Sequence, residues 1–176
     1  MAQASSNAGP LADRIAPSRA LASNNLAVFE ASARLGAILS ASGPAFEEAC
    51  AIYGQALGTA FQVVDDVLDY AGTAAEMGKN LGDDLREGKA TLPLIMAMQL
   101  GTTSQRDLIR EAIETGAVTQ LSLVVDIVRQ TGALDATHDA AAQEAQRAIA
   151  AARTLPDNRF TEGLIQLASQ LLERRH

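Results

Sequence analysis

Over residues 44–70 apolar side chains return every three or four positions, at Phe46, Cys50, Tyr53, Leu57, Phe61, Val64 and Leu68, which is the period of one buried face of a long α-helix. Gly54, Gly58 and Ala60 add small side chains that let a neighbouring helix approach closely. The same spacing at Leu26, Phe29, Ala33 and Ile38 predicts a helix over residues 21–40, closed by Ser42-Gly43-Pro44, and Pro44 suits the first turn of the helix that follows. Further helices are expected over residues 91–100, with Pro93 in the first turn, and over 104–115, 118–131, 134–154 and 158–175, the last two divided at Leu155-Pro156-Asp157. No segment alternates polar and apolar residues between hairpin signals. Hydrophobic residues make up 48% of the 176 but aromatics only 3%, so the core is built from Ala, Leu, Ile and Val. The Ala-rich run 140–152 reads as a helix packed tightly against a neighbour. The chain is therefore expected to be all-α, with one domain over residues 21–176. Residues 1–20, rich in Ala, Ser, Asn and Pro without periodicity, read as a disordered or poorly anchored lead-in.

Charge narrows the function. A net charge of −7 and a pI near 4.8 argue against nucleic acid, because neutralising phosphates needs clustered Lys and Arg. An anionic substrate would have to enter through a metal. The single cysteine, Cys50, excludes an internal disulfide framework and reads as a buried thiol in a reducing compartment. No window reaches the roughly 18 uncharged apolar residues of a membrane span, and the N-terminus lacks the basic start and apolar stretch of a secretory signal. Cytoplasm is the expected location.

Residues 61–93 hold seven of the 21 acidic residues and both lysines, Lys79 and Lys89. Asp65, Asp66 and Asp69 read as DDxxD near a helix end, where side chains four apart share a face about 5–6 Å apart, so Asp65 and Asp69 are expected to point into one pocket. Carboxylates that close repel, and a hard divalent cation relieves the repulsion. They also sit where the helix dipole is negative and cations are preferred. Lys79, Lys89 and a bound Mg²⁺ are the expected compensation, and a solvated acidic face is the alternative. Residues 71–90, with Gly72, Gly78, Gly82 and Gly88 among charges, read as a long functional loop. Gly88-Lys89-Ala90-Thr91 is no phosphate-binding P-loop: Gly82 and Gly88 enclose five residues, and Ala90 follows the lysine. His138 and His176 lie far from this cluster and support neither a His metal site nor a Ser-His-Asp triad.

The run GTAFQVVDDVLDY over residues 58–70, followed by GKNLGDDLREGKATLPLI over 78–95, closely resembles the trans-polyprenyl diphosphate synthase family, and weaker similarity makes nearly everything after residue 25 look like the C-terminal half of such an enzyme. The resemblance implies a helical bundle corresponding to the C-terminal part of the isoprenoid-synthase fold, usually a homodimer. It implies transfer of an allylic prenyl group to isopentenyl diphosphate. It assigns Asp65, Asp66 and Asp69 to Mg²⁺, Gln62, Lys79 and Lys89 to the diphosphate, and Asp84 to support of the cluster. Physical chemistry agrees: Mg²⁺ favours one or two carboxylates plus phosphate oxygens, and ionising a C–O bond requires neutralising the departing diphosphate.

Two departures qualify the resemblance. The family's first aspartate-rich motif and the Arg pair that receives isopentenyl diphosphate belong to an N-terminal half that these residues do not include. Asn24-Asn25 stand where relatives carry Lys-Thr before the Phe29 helix, which removes a cation from the diphosphate pocket. The leading expectation is thus part of a polyprenyl diphosphate synthase, carrying the second aspartate-rich half-site and inactive by itself. The alternative is a non-catalytic or regulatory subunit that pairs with a complete synthase.

Overall fold

A computed structural model describes residues 23–71, 83–86, 88–116 and 118–173. Among them the chain is helical, with no strand: α1 (Ser23–Leu39), α2 (Pro44–Ala71), α3 (Asp83–Arg86), α4 (Leu92–Leu100), α5 (Thr103–Thr115), α6 (Leu121–Gln130), α7 (Ala133–Ala152) and α8 (Arg159–Glu173). The lead-in 1–20 and most of the loop 71–90, Lys79 included, lie outside the described residues.

The long helix α2 is the spine. One side receives α1, whose backbone comes so near that a Cβ on Gly54 would stand 2.5 Å from the Phe29 carbonyl oxygen, and one on Gly58 would stand 2.9 Å from Phe29 Cβ. The expected close approach thus falls on these two glycines. Arg34 ties the pair further, donating to Glu30 and to Glu47 on α2 at 3.1 Å each. The reversal between them uses Gly43 at φ +88°, where a side chain would be strained, and Pro44 then opens α2. On α1 it is Ala37 that is buried, with Cys50 and Leu155, while Ile38 stays half exposed.

The other side of α2 packs against α7 and α8. Ala145, Ala148, Ala151 and Ala152 of α7 meet Ala56, Leu57 and Ala60 of α2, so the Ala-rich run is a close-packed seam. Farther along, Leu92, Leu94, Met96 and Ala97 of α4 are fully buried between the end of α2, α5, α6 and the start of α7. Those side chains point all around α4, so this helix is enclosed.

Several boundaries differ from the sequence reading for local reasons. Thr102 and Gln105 form a reciprocal capping box, so α5 begins at Thr103. The expected helix 118–131 is a 3₁₀ turn, Val118–Gln120, leading into α6. The loop 71–90 contains the one-turn helix α3, anchored by fully buried Leu85. Asn158 Oδ1 accepts from the Phe160 and Thr161 N–H groups and starts α8.

Candidate functional site

The C-terminal turns of α2 meet the N-terminus of α4, and Asp84 of α3 comes near enough for its charge to reach Asp66. Gln62, Asp66, Asp69 and Tyr70 follow one another at helical spacing on α2. Asp66 is buried, 8% exposed, and its Oδ1 accepts from Gln62 Nε2 at 2.9 Å. The Leu92 N–H, first of α4, also supports its carboxylate. Burial dominates all the same. Desolvation lifts the Asp66 carboxyl from its ordinary 3.8 to about 6, with the charges of Asp84 and Asp65 adding to the rise against the two hydrogen bonds.

Asp65 is exposed and Asp69 is half-buried, its Oδ2 shielded from water. It is Asp66 that turns furthest inward, held there by Gln62 and α4, where the spacing alone led us to expect Asp65 and Asp69 to share the pocket. Asp84 in α3 pairs with Lys89: Nζ stands 3.0 Å from Oδ1, and the Lys89 N–H donates to the Asp84 carbonyl at 2.9 Å. The structure thus gathers Gln62, Asp66, Asp69, Asp84 and Lys89 around one junction, with Asp65 at its rim.

The negative end of α2 has a compensation that the sequence did not disclose. Arg129 of α6 donates from Nη2 to the carbonyls of Tyr70 and Ala71, at 3.3 and 3.4 Å. A guanidinium placed on the last carbonyls of a helix both satisfies them and opposes the dipole. Nothing in the local pattern around Arg129 marks it for that task, since its partners lie 58 and 59 positions away in sequence.

Among the described residues no three His, Cys, Asp or Glu side chains stand close enough to cage a metal ion. The donors nevertheless suit Mg²⁺. They are all carboxylate oxygens, and that ion needs only one or two of them when phosphate oxygens and water complete its shell. No helix among the described residues is long and apolar enough to cross a membrane.

Comparison with known proteins identifies the family. A polyprenyl synthetase family model matches residues 25–129. The octaprenyl diphosphate synthase of Escherichia coli (strain K12) is 44% identical over 157 residues, covering 89% of this chain and 49% of the relative. A decaprenyl diphosphate synthase structure from Rhodobacter capsulatus superposes with a TM-score of 0.80 at 37% identity, covering 90% of this chain and 49% of that one. A polyprenyl synthase from Caulobacter crescentus CB15, complexed with calcium and isoprenyl diphosphate, gives 0.74 at 39% identity, covering 84% and 46%. The chain spans about half the length of the curated relatives it matches. With the aspartate-bearing helix, α3 and the start of α4 all inside the matched residues, the chain belongs to the polyprenyl synthetase family.

Proposed function

We propose that these residues supply one half of a polyprenyl diphosphate synthase active site, holding an allylic prenyl diphosphate through Mg²⁺. Asp65, Asp66 and Asp69 would carry the ion, Gln62, Lys79 and Lys89 would meet the diphosphate, and Asp84 would steady Lys89. The observation that carries this reading is the convergence of Gln62, Asp66, Asp69, Asp84 and Lys89 at the α2–α4 junction of a chain matched to the family across that junction. When bound, Mg²⁺ would neutralise charge developing on the leaving diphosphate. The chain's own part is to orient that anion and to hold a lysine beside it. Prenyl transfer needs a second metal-binding wall, so these residues alone are expected to bind without turning over. Incubation with Mg²⁺, isopentenyl diphosphate and farnesyl diphosphate tests this: efficient elongation would refute the half-site reading, and failure of Mg²⁺ plus pyrophosphate to bind in calorimetry would refute the site itself.

A second reading draws on the outer face of α1. Val28, Leu35, Ile38 and Leu39 are more than half exposed, and a groove of about 480 Å³ runs between Val28, Phe29, Tyr53, Leu57 and Leu167. An apolar surface of this kind marks a partner interface. The partner would be a complete synthase subunit. Sedimentation as a well-behaved monomer, unchanged when such a subunit is added, would exclude it.

A further inference from the structure

Beneath the aspartates two hydroxyls are buried without a hydrogen-bond partner: the phenol of Tyr70, which is fully enclosed, and Thr91 Oγ1, on a residue 7% exposed. Leaving a buried hydroxyl unsatisfied is destabilising, so two at one junction call for a use. Packing does not supply it, because a phenyl ring would fill the same space among Val63, Val64, Leu85 and Leu92. Helix capping does not supply it either. Thr91 stands at the N-cap of α4, yet its side chain makes no capping bond.

The surroundings show where the phenol looks. Thr91 lies close enough to ease its ionisation, although the pair falls outside hydrogen-bond geometry, and Asp69, Asp84 and Asp66 all press their negative charge on it. The enclosed Tyr70 phenol therefore lies near the carboxylates of Asp69, Asp84 and Asp66, with its hydroxyl closed off from solvent.

We propose that Tyr70 and Thr91 are positioning residues for the bound metal–diphosphate: their hydroxyls donate to the oxygens of Asp66 and Asp69 that the cation leaves over, once ligand draws those side chains together. This rests on the half-site reading above. A carboxylate bound to a cation through one oxygen keeps an acceptor on the other, and a donor from behind fixes its angle. Bonds to charged acceptors are about twice as strong as neutral ones, so the hydroxyls gain most in the loaded state. No covalent bond is made or broken.

The test is calorimetric titration of the full chain with Mg²⁺ plus pyrophosphate, alongside melting curves with and without that ligand. Tyr70→Phe and Thr91→Val are each expected to weaken binding about tenfold, ~1.4 kcal/mol, while the ligand-free melting temperature holds or rises as an unsatisfied hydroxyl disappears. Thr91→Ser should retain wild-type affinity. Wild-type binding with equal affinity in both variants overturns the positioning role and leaves the half-site standing. A lower ligand-free melting temperature with affinity unchanged makes the hydroxyls part of the fold alone and also overturns it. A wild-type chain that does not bind overturns both readings. Should Tyr70→Phe fail to fold, the Thr91→Val and Thr91→Ser pair decides.

Discussion

Asp66→Asn separates what this carboxylate costs the fold from what it does at the site. Burial holds the Asp66 carboxyl near 6 in the folded chain, against 3.8 when it is solvated. A raised folded value means that the native state binds the proton more tightly than the unfolded state does. The cost of the buried charge is therefore fully present above about pH 6 and is relieved as pH falls from 6 toward 4, so stability from this group rises on acidification. At about 1.4 kcal/mol per pH unit, the cost at pH 7.5 is on the order of 3 kcal/mol. Asparagine removes the charge but presents an amide to two donors, Gln62 Nε2 and the Leu92 N–H, and one mismatched bond returns about 1–1.5 kcal/mol. The net expectation is a gain of roughly 1–2 kcal/mol, or about 2–8 °C in melting temperature for a chain of this size. Melting curves of both proteins from pH 4.5 to 8 check it. The wild type should stabilise on descending through pH 6, the variant should show little of that slope, and the two should converge near pH 4.5. Calorimetry at pH 7.5 should show the variant losing affinity for Mg²⁺ and pyrophosphate. A variant that melts lower than wild type at pH 7.5, with the acid slope intact, would show that Asp66 is comfortable as an ion and would refute the argument.

Three further outcomes follow from the packing and the charges. Gly54→Ala should lose about 1–3 kcal/mol in urea unfolding, because its Cβ would meet Phe29 O and Glu30 Cα, backbone atoms that cannot turn aside; a midpoint equal to wild type would contradict the close crossing of α1 on α2. Arg129→Met should lower stability by about 1 kcal/mol through the exposed carbonyls of Tyr70 and Ala71, and unchanged thermal melting would assign the capping of α2 to another group. Lys89→Ala should leave the melting temperature nearly untouched, since its pair with Asp84 is largely solvated and worth about 1 kcal/mol at most, yet it should weaken pyrophosphate binding; a large loss of stability with binding intact would make Lys89 a structural residue.

How far each feature could be read in advance depends on how local its cause is. The span of α2 was legible because its apolar period and its Pro44 start are written within the helix itself. The Ala-rich seam of α7 was legible for the same reason. The one-turn helix α3 was not, because four residues carry no period, although Leu85, lone among charges, was a usable sign of an anchor. The site divides along the same line. The sequence posed the electrostatic problem plainly: acids crowded at the negative end of a helix. It did not disclose how the fold answers, because apart from Gln62, one turn back on the same helix, the answers come from across the bundle.

Which aspartate turns inward is set by the place where α4 begins, 26 positions beyond Asp66, since the Leu92 N–H and Gln62 together make burial of Asp66 tolerable. Arg129 reaches the end of α2 only because α6 packs beside α4. Tyr70 and Thr91 were visible as letters closing one motif and lying within the other, but the enclosure of their hydroxyls is a property of the junction and of no single segment. Such a junction holds its backbone firmly and leaves its side chains only small turns. The carboxylates at its mouth are set on the core side by α4 and Gln62, while Asp65 and Lys89 are the exposed groups among the described residues of the site. If a cation and diphosphate do bind there, the rearrangement should fall on side chains, with Asp65 and Lys89 moving furthest and Asp66 and Asp69 only turning in place, and the backbone at Asp66 and Leu92 should keep its hydrogen-exchange protection unchanged on loading.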